Sequence, residues 1–250
     1  MIPYHRVTGP EDAPVLVLSN SLGATLQMWD PQAKALARTF RLVRYDTRGH
    51  GKSDTPPGPY SIEDAGRDVL DLLDDLGVER AHFAGLSLGG MTGQWLAINA
   101  PERIDKLVLL ATSPKMGPPE MWVDRAKLVR EQGTGAIVDG TFERWFTEAY
   151  RADHDLSDWR EMFVGVSDEG YASCCSIIEQ MDLTDGLPHV KASTLVIAGA
   201  QDPSAPPEDH AAVIAGAIPH AQLEILDPAA HLLNVERADD VTQLIREHLR

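Results

Sequence analysis

Cysteine is nearly absent from this 250-residue chain: there are two, Cys174 and Cys175, and they are adjacent. Neighbouring residues rarely bridge, so no disulfide framework is expected, a reducing compartment fits, and both read as small buried side chains. Basic residues are also scarce. Lys and Arg number 22 against 38 Asp and Glu, a formal charge of −16, and that field would repel a nucleic acid or an anionic membrane surface. A small anion is not excluded, because a few inward-pointing arginines act at short range while the acidic surface is screened beyond about 8 Å. No apolar run approaches the roughly 20 residues needed to span a bilayer. The opening Met1-Ile2-Pro3-Tyr4-His5-Arg6 lacks the charged-then-apolar pattern of a secretory signal, so a cytoplasmic location is expected. No Cys/His cluster stands at ligand spacing, and no metal is expected.

What is present is a 43% hydrophobic content, enough for a sizeable core, arranged in short apolar blocks. These are Val15–Ser19, Leu42–Asp46, His82–Leu86, Leu107–Thr112, Leu195–Ala200 and Leu223–Asp227, with helix-period stretches between most of them. Strands apolar on both faces that alternate with helices predict an α/β fold, a mostly parallel sheet wrapped by helices. Asp30-Pro31 reads as an N-cap followed by Pro at the first helical position. Ser61 and Asp64 read as a capping box opening a helix that Gly77 ends, with Ile62, Ala65, Val69, Leu72, Leu73 and Leu76 as its core stripe. From Pro114 to about Val190 the alternation stops and only helical stretches remain. That places a core domain in residues 1–113 and 191–250 and a helical lid in residues 114–190, over the sheet edge where open α/β sheets bind ligands.

The chemistry centres on Gly85-Leu86-Ser87-Leu88-Gly89-Gly90, after a strand and before a helix. Glycines flanking a serine in a strand-turn-helix permit a turn too tight for a Cβ and expose the hydroxyl at a helix N-terminus. A serine hydroxyl is a poor nucleophile and needs a base in hydrogen-bond reach, with an acid to orient that base. In this architecture the partners follow in the order Ser, Asp, His. Asp202 and His231 both fall just past the carboxyl ends of late strands. Of the nine histidines only His50, in Thr47-Arg48-Gly49-His50-Gly51, rivals His231 as base; Asp227 and Asp209 rival Asp202 as acid. Charge developing on the attacked carbonyl needs fixed N–H donors, and the expected pair is the backbone N–H of Leu88 and of Leu22 in Asn20-Ser21-Leu22-Gly23. Gly51-Lys52-Ser53 resembles the tail of a phosphate-binding loop, but Asp46 stands where that motif needs Gly.

Taken together these residues resemble the α/β-hydrolase fold over nearly the whole chain, a fold in which the helical lid is inserted after the sixth strand. Ser19-Asn20-Ser21-Leu22-Gly23 with Met28-Trp29-Asp30, Tyr45-Asp46-Thr47-Arg48-Gly49-His50-Gly51, Gly85 to Gly90 with Gln94-Trp95-Leu96-Ala97, and Arg144-Trp145-Phe146 together are similar to the 3-oxoadipate enol-lactonases of aromatic catabolism. Asn-Ser-Leu-Gly and the Arg-Trp-Phe of the lid are the more selective pieces. The resemblance implies a serine hydrolase that opens a small anionic enol-lactone to 3-oxoadipate without a cofactor. For the substrate carboxylate a bidentate donor suits best; Arg125 and Arg144 are the candidates, with Trp122 and Trp145 as apolar walls. The alternatives are a carboxylesterase, a haloperoxidase-like hydrolase or a carbon–carbon bond hydrolase with the same triad, or a non-catalytic ligand receptor. Epoxide hydrolases and haloalkane dehalogenases place Asp where Ser87 stands.

Overall fold

The apolar blocks become strands because their alternate residues serve two different cores. In the computed structural model, which describes residues 1–250, β1 is His5–Thr8, β2 Val15–Ser19, β3 Arg41–Tyr45, β4 Ala81–Leu86, β5 Ile104–Leu110, β6 Ser193–Gly199 and β7 Gln222–Leu226. They form one sheet in the order β1-β3-β2-β4-β5-β6-β7, antiparallel only at β1–β3. Leu16, Leu18, Ala84, Leu86, Val108, Leu110, Leu195 and Ile197 face one core. Val17, Phe83, Leu107, Leu109, Val196 and Ala198 face the other. This period of two, with both faces covered, is why the blocks read as continuous rather than alternating apolar runs.

Four helices interleave with the first strands and their return. They are α1 (Asp30–Leu36), α2 (Ile62–Asp75), α3 (Leu88–Asn99) and, after β5, the first of the inserted set, α4 (Pro119–Gln132). The set continues with α5 (Val138–Trp145), α6 (Glu148–Asp153), α7 (Ser157–Val164) and α8 (Asp168–Gln180); α9 (Ala211–Ala217), α10 (Leu233–Glu236) and α11 (Ala238–His248) complete the chain. The insertion holds no strand and its helices share one core with the sheet: Phe142, Trp145, Phe146, Phe163, Tyr171, Cys174 and Ile177 are all buried in it. It follows the fifth strand in chain order rather than the sixth, because the residues ahead of β2 supply a single four-residue strand. No helix is long and apolar enough to cross a membrane.

The capping box of α2 is complete: Ser61 Oγ accepts from the Asp64 N–H, and the Asp64 carboxylate accepts from the Ser61 N–H. Asp30, however, does not cap α1. It is the first residue inside that helix and makes no cap bond, and its carboxylate pairs instead with Arg44 of β3. A strong charge-assisted contact across the fold overrides a local capping preference. Replacing Ser61 with Ala should therefore lower unfolding free energy by about 1 kcal/mol, read as a lower urea midpoint with an unaltered slope; an unchanged midpoint would show that the box contributes nothing.

Candidate active site

The loops that leave β2, β4, β6 and β7 all emerge at one edge, since these strands are parallel. Ser87 sits at the end of β4 with φ 56° and ψ −115°, a conformation that L side chains rarely adopt. The turn closes only because of its glycines. A Cβ on Gly85 would lie 2.2 Å from the Gly89 carbonyl oxygen, and one on Gly89 would lie 2.4 Å from the Ser19 carbonyl oxygen. Backbone bonds hold the strained residue from three sides: its N–H donates to the Leu110 oxygen at 2.9 Å, its oxygen accepts from the Thr112 hydroxyl at 2.7 Å, and the Gly89 N–H donates to the Asn20 oxygen at 2.9 Å. Ser87 is half-buried.

Asp202 and His231 meet. The Nδ1–H of His231 donates to Asp202 Oδ2 at 2.7 Å, and both residues are buried. The other oxygen, Oδ1, accepts from the Ser204 and Ala205 N–H groups at 2.8 and 3.2 Å, which fixes the carboxylate in its loop. Neither rival acid takes this place: Asp227 accepts from Gln201 instead. With Nδ1 turned to Asp202, Nε2 is the other ring nitrogen and has no partner in the protein. No hydrogen bond joins it to the Ser87 hydroxyl.

His50 has a different use. Its Nε2 accepts from the Gly23 N–H at 3.0 Å and its Nδ1–H donates to the Arg48 oxygen at 3.2 Å. Burial lowers its pKa from 6.5 to about 4, so the ring stays neutral. It acts as a strut behind the Asn20–Gly23 loop. Met28 provides a second strut, its Sδ accepting from the Ser21 N–H at 3.2 Å. With Ser21 and Gly23 both engaged, the Leu22 N–H between them has no acceptor, and neither does that of Leu88. Two unpaired donors thus lie on segments that are bonded to one another through Gly89 and Asn20.

The inserted helices add two cations without counter-ions. Arg125 and Arg144 both donate to Thr141 Oγ1, at 3.2 and 3.3 Å, and neither has a carboxylate within salt-bridge distance. Burial, and then the neighbouring charge of Arg125, lowers the Arg144 pKa. Arg125 lies over the rings of Trp122 and Tyr171, 5.5 and 6.0 Å from their centroids. Tyr171 in turn packs beside Gly23 and His50. Arg144 is joined to the His231 loop through its backbone, whose oxygen accepts from the His231 N–H at 3.4 Å. Trp122 is buried, yet its Nε1–H has no partner. Trp145 is buried in an aromatic cluster, stacked on Phe142 and edge-on to Phe163. Both Cys174 and Cys175 are buried in α8, their thiol pKa values raised by burial, that of Cys175 to about 12. No group of three or more His, Cys, Asp or Glu side chains is placed to hold a metal ion.

Residues 14–141 match the family model described as alpha/beta hydrolase fold. The chain belongs to the alpha/beta hydrolase fold family. This hydrolase is 42% identical to 3-oxoadipate enol-lactonase 2 of Acinetobacter baylyi, over 92% of its own length and 86% of the relative's. It superposes on the crystal structure of the enol-lactonase from Burkholderia xenovorans LB400 with a TM-score of 0.95 and 44% identity, covering 98% and 95% of the two chains. It is also 31% identical to a putative carbamate hydrolase RutD of Stutzerimonas stutzeri, over 95% and 92% of the two lengths.

Sequence reading did not foresee the parts played by His50, Thr141 and Tyr171. Thr141 stands three residues before Arg144 on α5, a spacing that hinted at the contact; the other two contacts cross the fold and leave no local trace. The buried neutral His50 gives a pH test. Between about pH 4 and 6.5 the unfolded chain binds a proton at this ring that the folded chain does not, so stability is complete above 6.5 and falls as pH drops through the window. The whole window is worth about 3 kcal/mol. His50→Gln, which keeps an acceptor but cannot titrate, should flatten the dependence of unfolding free energy on pH there. Parallel slopes for wild type and variant would remove this assignment.

Proposed function

We propose that this hydrolase opens the ring of 3-oxoadipate enol-lactone to give 3-oxoadipate, with Ser87 as nucleophile, His231 as general base and Asp202 as its orienting acid. The observation that carries the reading is the 2.7 Å His231–Asp202 bond, which fixes the tautomer whose free Nε2 can accept a proton. Ser87 Oγ attacks the lactone carbonyl as His231 takes its proton. The carbonyl oxygen, now negative, is received by the unpaired Leu22 and Leu88 N–H groups. Collapse of the tetrahedral species breaks the ring C–O bond; His231 returns the proton to the departing enol oxygen, and the enol becomes the ketone. Water, deprotonated by His231, then attacks the acyl-serine and frees the second carboxylate.

The substrate's own carboxylate calls for fixed cationic donors in a dry place. Arg125 and Arg144 are two uncompensated guanidiniums that share Thr141, Arg144 being bonded through its backbone to the His231 loop, and the unpartnered Trp122 Nε1–H adds a further donor where an apolar wall was expected from sequence. Trp145, locked in its ring cluster, belongs to the walls of the site. On this reading residues 114–190 are the lid that selects substrate, residues 1–113 and 191–250 hold the catalytic groups, and the substrate is a small anion. The similarity to putative carbamate hydrolases supports a second reading, in which the same triad cleaves a carbamate.

Purified enzyme assayed on the enol-lactone, a carbamate and p-nitrophenyl acetate separates these. The lactone should give the highest kcat/KM, and a clear preference for either other substrate would discard the lactonase assignment. Ser87→Ala should lower kcat by about a millionfold and Asp202→Asn by about ten-thousandfold. Arg144→Gln should raise KM for the lactone at least tenfold and leave that for p-nitrophenyl acetate alone. Equal changes for both substrates would show that Arg144 does not read the carboxylate.

A further inference from the structure

His231 lies in a loop, and little in its own segment explains why the ring stays put. Beyond its bond to Asp202, the loop is joined to the inserted helices along a short seam. The His231 N–H donates to the Arg144 oxygen at 3.4 Å and the Leu232 N–H to the Trp145 oxygen at 2.9 Å. One side chain closes this seam at both ends. Glu236, at the end of α10, accepts the Ala230 N–H on Oε2 at 2.5 Å. Its Oε1 accepts both the N–H and the hydroxyl of Thr147, each at 2.8 Å. Thr147 is in turn the N-cap of α6, its Oγ1 accepting from the Tyr150 N–H at 3.2 Å. A single carboxylate thereby satisfies the residue before His231 and the helix start three residues after Arg144. No cation pairs with it, so its charge is offset entirely by these three donors.

We propose that Glu236 is a positioning residue that sets the His231 ring relative to Ser87 and, through Thr147, locks that setting to the position of Arg144. The inference rests on the reading of Ser87, His231 and Asp202 as the catalytic groups. Its physical content is that proton transfer and anion binding are not independent here. If the carboxylate is lost, two backbone donors and a hydroxyl lose their acceptor, the seam has only its two backbone bonds, and both His231 and Arg144 acquire freedom. A displacement of about 1 Å at such a group costs on the order of a hundredfold in rate.

The test uses the full chain and two ester probes with the same leaving group, p-nitrophenyl acetate and the mono-p-nitrophenyl ester of adipate, which carries a free carboxylate. Glu236→Gln keeps the volume but turns an N–H of its amide toward one of the donors. It should lower kcat on both esters at least tenfold and raise KM only for the carboxylated one. Thr147→Val, which removes the hydroxyl and keeps the backbone contact, should move both quantities the same way by about threefold, and it carries the test should the first variant fail to fold. A lower melting temperature with wild-type kcat on both esters would overturn the proposal, because a brace that only stabilises the fold does not alter turnover. Equal KM changes for the two esters would overturn the link to Arg144. Ser87→Ala retaining wild-type turnover would overturn the underlying catalytic reading together with this one, whereas an inert Ser87→Ala beside an unaffected Glu236→Gln would overturn the coupling alone.

Discussion

A serine at φ 56° cannot hold itself there. The conformation costs on the order of 1–3 kcal/mol, and the groups around Ser87 are arranged to sustain it. Gly85 and Gly89 are bare so that the carbonyls of Gly89 and Ser19 can come within the space of a missing methyl. Leu110 and Thr112, from the next strand and its exit, take the serine's backbone N–H and oxygen. Asn20, from the strand on the other side, takes the Gly89 N–H. The strain is distributed into the two neighbouring strands, β2 and β5, and the same bonds that sustain it bring the Leu22 and Leu88 segments together.

The polar groups at this edge divide sharply into those that are spent and those that are left over. Asp202 uses both oxygens, His50 both nitrogens, and Ser21 and Gly23 their N–H groups. Left without protein partners are the N–H groups of Leu22 and Leu88, the indole N–H of Trp122 and the charges of Arg125 and Arg144. Buried donors are rarely left unmatched in a folded protein. Unmatched acceptors are there too, Asn20 Oδ1 and Gln94 Oε1 among the buried ones, but the two uncompensated guanidiniums are what supports the proposal of an oxygen-rich, negatively charged ligand.

The tight turn at Gly85–Gly90 was legible because its demand for glycine is local, and the meeting of Asp202 with His231 was legible because a parallel sheet puts every strand's carboxyl end on one side. The helical insertion was legible as the loss of alternation after Thr112. What sequence could not carry was cross-chain competition. Asp30 has the spacing of a cap, but Arg44 claims it; His50 has the address of a base, but the Gly23 N–H, from 27 residues earlier, takes its free nitrogen. Trp122 has the composition of a wall, and only its unsatisfied nitrogen marks it as a donor. The insertion was expected after a sixth strand, as the resemblance implied, whereas five precede it, because only the short strand His5–Thr8 stands ahead of β2.

Both sulfurs of α8 are fully buried, that of Cys174 lying 3.6 Å from the Arg48 backbone oxygen. Their reactive form is the thiolate, which burial suppresses. Because the pair is buried, peroxides and alkylating agents have no path to it while α8 stays packed, and adducts there would record the moments when that helix has come away from its neighbours.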